Sequence, residues 1–593
     1  MELQTHSHSL LKQIMKRFNI CMSLVFVALI GWQVHQHIPF QLCQLEHTNL
    51  FVGDWDWFVP FLEQWGGLGK WLGTWGIQFF SETVTGAFAF IIPVILLFVS
   101  TVGLMRNTDK PMSVWVPWAT GVSACQLLSL YDYNFYWSGA LALALAMAGL
   151  WGISLFKSSI RNWLFLLGIP LIAWTLGAVT CIYVLAGIIL FANRKNWIMS
   201  IAAPLTVSVA LIAFFQFAGL VPGIGYLLSP VPYHEQMTEM PVYHWATWGV
   251  TLVVLLLSRL LSDICWKKKI ISWSICCAGW LLPSALLVHT GGNFRNASNQ
   301  DLWRLNHYAY MEDWDAILDF MSGKPMNNYL FMNYANMALA NKGELANRAF
   351  HYHPRGMNSL LATVNSTGTV RLMASDIHYT VGCIAEAQQH AFEAQVTFPQ
   401  SLGIQTLKRL VKTNLIFGHH EVAEKYLSLI AKTTLHQEWA QQYSQFLYND
   451  KAIEEDAELG EKRRSLSHRN RFAMFYGWTP ELEDILEVNP DNRKALEYLG
   501  LSILMNKDLK EFQAFLDKHY GTRKDQTLPL SFQQAVMALD KPDKVDEYKI
   551  SGSIKEQYNQ FMRLYAQNRQ NPNLKNVMHR SFGHTVWYYL IFV

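Results

Sequence analysis

Two carboxylates, Asp54 and Asp56, sit one residue apart between Trp55 and Trp57. In an extended segment residues i and i+2 point the same way, so both acids would face one ligand or one divalent cation, which takes oxygen donors of this kind. After the pair come Trp65, Trp71, Trp75, Phe79 and Phe80, spaced like the apolar side of a helix lying in a membrane interface. The acids would then stand at headgroup depth, where a lipid-linked substrate presents its phosphate. A plainer reading competes: acids in exposed loops are commonly just solvated, and aromatic belts occur in every polytopic protein.

The elements that must position these residues are membrane spans. Of 593 residues, 51% are hydrophobic and 15% charged, with a formal net charge of +3. The average hides a division: residues 1–290 are a series of long apolar runs, and residues 291–593 have ordinary soluble composition. The near-neutral balance shows no basic stripe of the kind nucleic acid requires, which excludes that partner. Most of the eight cysteines lie in apolar runs, leaving Cys43 and Cys383 for water-exposed parts, and no disulfide framework or zinc spacing is present.

Lys12, Lys16 and Arg17 precede the first apolar run, 18–34, which is too long for a signal-peptide core and lacks a small-residue cleavage site, so it reads as an uncleaved span. Further runs cover 84–104, 114–130, 140–156, 162–192, 197–220, 242–261 and 270–289. As one helix, 162–192 would be roughly 45 Å long against roughly 30 Å of hydrocarbon. Basic pairs flank it on both ends, Lys157 with Arg161 and Arg194 with Lys195, and basic loops stay cytoplasmic. The run must therefore enter and return, bending near Thr175 with the help of Pro170 and Gly177. That gives nine crossings in an all-α bundle, a cytoplasmic N-terminus, and an extracytoplasmic tail, the layout of a bacterial inner-membrane protein with a periplasmic domain. The outer loop 38–83, the turn 132–138 and the segment 221–241 then share one side with the tail. They gather Asp54, Asp56, Glu63, Glu82, Asp132, Glu235 and Glu239, with His234 and His244, in loops or at adjoining span ends. Ionisable groups at a membrane are costly and default to function, here with a metal ion or a phosphate as partner.

With these residues in view, the N-terminal part resembles the GT-C superfamily of polytopic glycosyltransferases, which use polyprenyl-phosphate-linked sugars. The shared features are a first span, a long outer loop with a D-x-D type signature at Asp54-Trp55-Asp56, interfacial helices, a multi-span bundle and a soluble outer tail; the resemblance covers about 1–290. It implies Asp54 and Asp56 as catalytic acids and a membrane lipid-linked sugar donor as substrate. It implies also a divalent metal, Mg or Mn, for which Asp56, joined on topological grounds by Asp132 and Glu235, would supply ligands. Basic residues would hold the donor phosphate, and Lys70, Arg295 and Arg304 are close in sequence to outer span ends. The W-W-D signature of oligosaccharyltransferases is missing, which argues against transfer of whole glycans to protein.

Other motifs fail. The segment GGLGKW at 66–71 lacks the first glycine of a phosphate loop and has Trp71 where Ser or Thr is needed. The pairs His351/His353 and His419/His420 have no third ligand in view, and HEQMTEM lacks the second histidine of a zinc-protease helix. Asn296 and Asn365 match the glycosylation acceptor pattern, which matters only in a eukaryotic secretory compartment.

The tail reads as helix pairs with polar turns, each about the length of a tetratricopeptide repeat, and NPDNRKALEYLGLSILMNKDLKEFQAFL at 489–516 is nearest that pattern. An α-solenoid of such pairs resembles the tetratricopeptide (TPR) family and implies a concave face for protein partners. The segment YNDKAIEEDAELGEKRRS reads as a solvated helix or linker, and the apolar terminus HTVWYYLIFV is too short to span a membrane. Two functions follow. One is an integral membrane glycosyltransferase moving a sugar from a polyprenyl-phosphate donor to an extracytoplasmic glycan, lipid or protein. The other is a non-catalytic membrane-anchored scaffold subunit of a cell-envelope complex.

Overall fold

The computed structural model describes residues 2–106, 114–235, 238–260, 269–294, 297–323, 328–363, 367–398, 402–467, 477–521 and 527–593. Among them the chain is helical throughout, with one isolated antiparallel bridge, Phe135 to His234, in place of any sheet. It divides into two compact units, Met1–Gln300 and Asp301–Val593.

In unit 1 the helices are α1 (Glu2–His37), α2 (Pro39–His47), α3 (Trp55–Leu62), α4 (Gly67–Ile77), α5 (Thr83–Phe90), α6 (Ile92–Arg106), α7 (Ala119–Tyr131), α8 (Trp137–Ser154), α9 (Ser158–Thr175), α10 (Thr180–Phe191), α11 (Ala203–Phe217), α12 (Ile224–Leu228), α13 (His244–Leu260) and α14 (Lys269–Phe294). Five helical stretches among the described residues are long and apolar enough to cross a membrane: Gln13–His37, Thr83–Arg106, Trp137–Ser154, Ile198–Phe217 and Ile270–Asn293. Thr180–Phe191 and His244–Leu260 are apolar but shorter. Large apolar side chains cover their outer faces, Phe217 at 91% exposure and Phe88 at 68%, as a lipid-facing surface requires. The interior is built by close approach at small residues. A Cβ on Gly103 would fall within 2.3 Å of the Trp151 ring, and one on Gly187 within 2.2 Å of the Phe165 ring. Polar side chains tie the bundle where apolar contact alone cannot set register: the Trp280 indole donates to Asn19 Oδ1 at 3.1 Å, joining α14 to α1.

The run 162–192 divides as its flanking charges require. Helix α9 ends at Thr175, Gly177 takes φ +85°, a left-handed conformation that favours glycine, and α10 starts at Thr180. Pro170 lies within α9, so the break belongs to the glycine.

Unit 2 is a succession of packed helices. The pairs include Trp314–Met321 with Tyr329–Asn341, Gly368–Val381 with Ile384–Thr397, Ile404–Phe417 with His420–Ala431, and Arg493–Met505 with Leu509–His519. Short polar side chains start several of them, with Asp313, Asn492 and Asp508 each accepting a first-turn amide, while Gly382 and Gly418 at positive φ end Gly368–Val381 and Ile404–Phe417. The segment read as a solvated helix or linker is helical but not fully solvated: Asp450–Glu455 and Ala457–Arg464 bury Ile453, Leu459 and even Lys462. Two apolar anchors among many charges suffice to seat it, which a charge count conceals. The terminus packs on its own unit, Trp587 Nε1 donating to the Gln534 carbonyl at 2.6 Å and the Tyr589 hydroxyl to the Met505 carbonyl at 2.7 Å.

Candidate functional site

The Asp54-Trp55-Asp56 signature is the start of a helix. Asp54 is the N-cap of α3, its Oδ1 accepting the Trp57 amide at 2.8 Å, and Asp56 lies in the first turn, exposed, where the helix dipole favours a carboxylate. This corrects the extended geometry expected from the sequence: once the chain turns helical at Trp55, side chains two apart no longer share a direction. Lys70 is exposed on α4, though surrounding atoms desolvate its ammonium enough to lower its pKa. Arg304 belongs to unit 2, with its guanidinium over the Phe320 ring at 4.7 Å. Arg295, Asn296 and Asn365 lie outside the described residues, as do Lys110, Cys265, Lys267 and Lys268.

The residues that do converge are Asp132, His234 and His244, one donor atom from each lying within 4.8 Å of the others. Asp132 ends α7, and its Oδ1 accepts the Asn134 amide at 3.0 Å, which curls the following loop back on itself. That loop zips against 233–235: the Tyr136 amide donates to the Tyr233 carbonyl at 2.8 Å and the Glu235 amide to the Asn134 carbonyl at 2.9 Å. The zip sets His234 beside Asp132, and His244, first residue of α13, closes the group from the other side. Asp132 Oδ2 lies 3.0 Å from His244 Nε2 and 3.5 Å from His234 Nε2, and it accepts the Tyr243 hydroxyl at 3.2 Å. Phe135 stacks on the His244 ring at 4.7 Å. Both histidines are buried, at 2% and 1% exposure.

The tautomer of His234 follows from its partner. Its Nδ1 meets the Glu235 carbonyl at 3.1 Å, a carbonyl only accepts, and so Nδ1 carries the proton. Nε2, which has no hydrogen-bond partner, then turns a lone pair toward a carboxylate oxygen. Two acceptors facing each other in a buried site are resolved by a further proton or by a cation. Metal-ligating histidines are held in this way, through a backbone carbonyl on the second ring nitrogen. Burial pushes the Asp132 carboxyl up, but the His244 hydrogen bond, the Asn134 amide and the nearby imidazoles outweigh it and hold the group below the ordinary carboxylate range. Glu235 stands outside the cluster, its Oε2 accepting the Tyr136 hydroxyl at 3.0 Å. The neighbouring His234, not Glu235, stands beside Asp132, because the extended pairing of 134–135 with 234–235 alternates side chains to opposite sides.

Tyr233 joins this cluster to an apolar cavity. Its hydroxyl donates to the Leu176 carbonyl at 2.6 Å and accepts the Val179 amide at 3.2 Å, both in the break between α9 and α10. That break walls a cavity of about 240 Å³ lined by Trp65, Ala173, Val184, Leu211, Phe215 and Leu227 among others. In unit 2 a charged cavity of about 330 Å³ is lined by Asp376, Arg409, Lys412, Glu458, Lys462 and Lys494 with apolar neighbours. Two ion pairs run along it, Arg409 with Asp376 at 2.8 Å and Lys412 with Glu458 at 2.7 Å.

A family model described as a family of unknown function (DUF6057) matches residues 13–593. The chain belongs to the DUF6057 family. No curated protein and no solved structure matches it. The DUF6057 match runs through both units, so the Asp132 cluster and the helical tail fall within one family's extent. The signal that pointed to the cluster in the sequence was the expectation, from flanking charge, that Asp132, His234 and His244 fall on one side of the membrane; nothing in their spacing pairs them.

Proposed function

We propose that this chain is a membrane-embedded transferase acting on a polyprenyl-phosphate-linked sugar donor, with a divalent metal at Asp132, His234 and His244. The observation that carries the reading is the buried, unpartnered Nε2 of His234 facing Asp132, one residue from the tyrosine that braces the wall of an apolar cavity. A metal there would supply Lewis acidity toward a phosphate oxygen. Two imidazoles with one carboxylate suit manganese or zinc better than magnesium, which wants oxygen donors. The cavity beside α9 and α10 suits an isoprenoid chain, and the sugar donor itself is carried by the GT-C resemblance of residues 1–290. In this reading the chain crosses the membrane nine times with its N-terminus in the cytoplasm, and the tail is a periplasmic, TPR-like domain that receives the acceptor or a protein partner. Asp54 caps the helix that leads into the interfacial segment.

The test is mass spectrometry of polyprenyl-linked and surface glycans in a strain lacking the protein, complemented with wild type or with His234→Ala. Accumulation of a lipid-linked sugar that wild type clears and His234→Ala does not is the expected result. An unchanged glycan profile in the deletion strain removes the transferase and leaves the scaffold reading, which the charged cavity of unit 2 favours as a docking face.

A further inference from the structure

Unit 2 holds a second convergence of ligating side chains, apart from anything the transferase reading uses. His378 lies in the last turn of Gly368–Val381, Cys383 precedes Ile384–Thr397, and Glu481 lies in the first turn of Trp478–Val488. One donor atom from each lies within 4.8 Å of the other two. The backbone fixes His378 and Cys383 together: Gly382, at φ +101°, makes the turn, and the amides of Gly382 and Cys383 donate to the His378 carbonyl at 3.0 and 2.9 Å. The three side chains are buried, at 4%, 4% and 8% exposure. The edge of the Trp478 ring closes over His378, with centroids 5.9 Å apart.

Packing does not account for them. Nδ1 of His378 is shut off from water with no hydrogen-bond partner, and both carboxylate oxygens of Glu481 are shut off from water. Glu386 and Cys383 lie within side-chain hydrogen-bonding reach of the Glu481 carboxyl, and Glu386 sets a second carboxyl beside it. Burial raises that carboxyl and the Cys383 thiol and lowers the His378 imidazole, so these surroundings disfavour the charged form of each. Buried polar groups left this way are rare and each calls for a cause.

We propose that His378, Cys383 and Glu481 form a structural site for a zinc-type divalent cation. One thiolate and one carboxylate balance a charge of two, and a neutral imidazole completes a set with no net charge, which is what an apolar surrounding tolerates. Nitrogen, sulfur and oxygen donors together select zinc over calcium or magnesium. Bond lengths of about 2.0 to 2.3 Å put tetrahedral donors about 3.3 to 3.8 Å apart, so the three need to draw in by about 1 Å. Water takes the fourth position, which keeps the set uncharged. The cation would clamp the turn at 382–383 to a helix about a hundred residues downstream. The sequence hides this, because His and Cys five apart with a distant Glu match no zinc spacing.

The full chain, purified in detergent and stripped with a chelator, is titrated with Co²⁺ alone and then with Zn²⁺. The expected result is one equivalent of cobalt giving a thiolate-to-cobalt charge-transfer band in the near ultraviolet, abolished by zinc. Cys383→Ser loses the band, and Glu481→Gln weakens cobalt binding by about 100-fold. Cobalt held by Asp132, His234 and His244 gives no such band, since that cluster has no sulfur, and His234→Ala leaves the band intact. Failure here is thus distinct from failure of the transferase reading. Absence of the band in the wild type overturns the proposal whether or not the variants fold. So does a band that survives in Cys383→Ser.

Discussion

Asp132 and His244 are 112 positions apart, and Oδ2 of the first lies 3.0 Å from Nε2 of the second. The contact depends on three independent pieces of structure: the end of α7, the start of α13, and the two-loop zip that adds His234. Only their meeting makes a site.

Asp132→Asn keeps the size of the side chain and removes its charge. Divalent-metal binding at the cluster should weaken by about 100-fold or more, and complementation of the deletion strain should fail as it does with His234→Ala. Tyr243→Phe, which removes one hydrogen bond to the same oxygen, should cost about tenfold in affinity by calorimetric titration. Equal binding by wild type and Asp132→Asn would place the metal elsewhere.

Asp54 is a helix cap, and the cap predicts a pattern. Asp54→Asn and Asp54→Ser keep an acceptor for the Trp57 amide and should leave thermal stability and glycan phenotype near wild type, while Asp54→Ala should lose about 1 kcal/mol. Loss of function in Asp54→Asn at unchanged stability would return the aspartate to the catalytic role its sequence suggested.

Tyr233 is wedged between two glycines. A Cβ on Gly139 would fall 2.4 Å from the Tyr233 Cβ, and one on Gly177 3.2 Å from its hydroxyl, at a φ of +85°. Gly139→Ala should therefore destabilise by about 2 kcal/mol or more and disturb metal binding through His234. Gly177→Ala should cost about 1 kcal/mol from backbone strain, with less effect on the metal. Melting curves and metal titrations on the two variants separate these effects.

Lys462 gives a pH signature. Burial lowers its ammonium from 10.5 to about 8, opposed by Glu461 and Glu458 and assisted by Lys494, while its Nζ donates to the Thr380 carbonyl at 2.9 Å. Between pH 8 and 10.5 the unfolded chain holds this proton and the folded chain does not, so stability rises with pH across that window, by about 3 kcal/mol in all. Below pH 8 the cost of the buried charge is carried in full. Unfolding followed from pH 7 to pH 10.5 should show this rise in the wild type, and Lys462→Met should flatten it.

The sequence by itself determined what depends on neighbours along the chain. Apolar runs long enough to span, the break between α9 and α10, and the helix pairs of the tail all rest on hydrophobic period, flanking charge and turn chemistry, which act within a few residues. The tertiary structure decided what depends on residues far apart. An aspartate pair that in an extended segment would face one cation stands instead as a cap and a first-turn acid, because the chain turns helical at Trp55. His234 was drawn to Asp132 only by the pairing of two loops, and His378 and Cys383 reached Glu481 only through the packing of three helices. Chain connectivity carries no record of such meetings, since the burial and orphaned atoms that mark them exist only once the chain has folded.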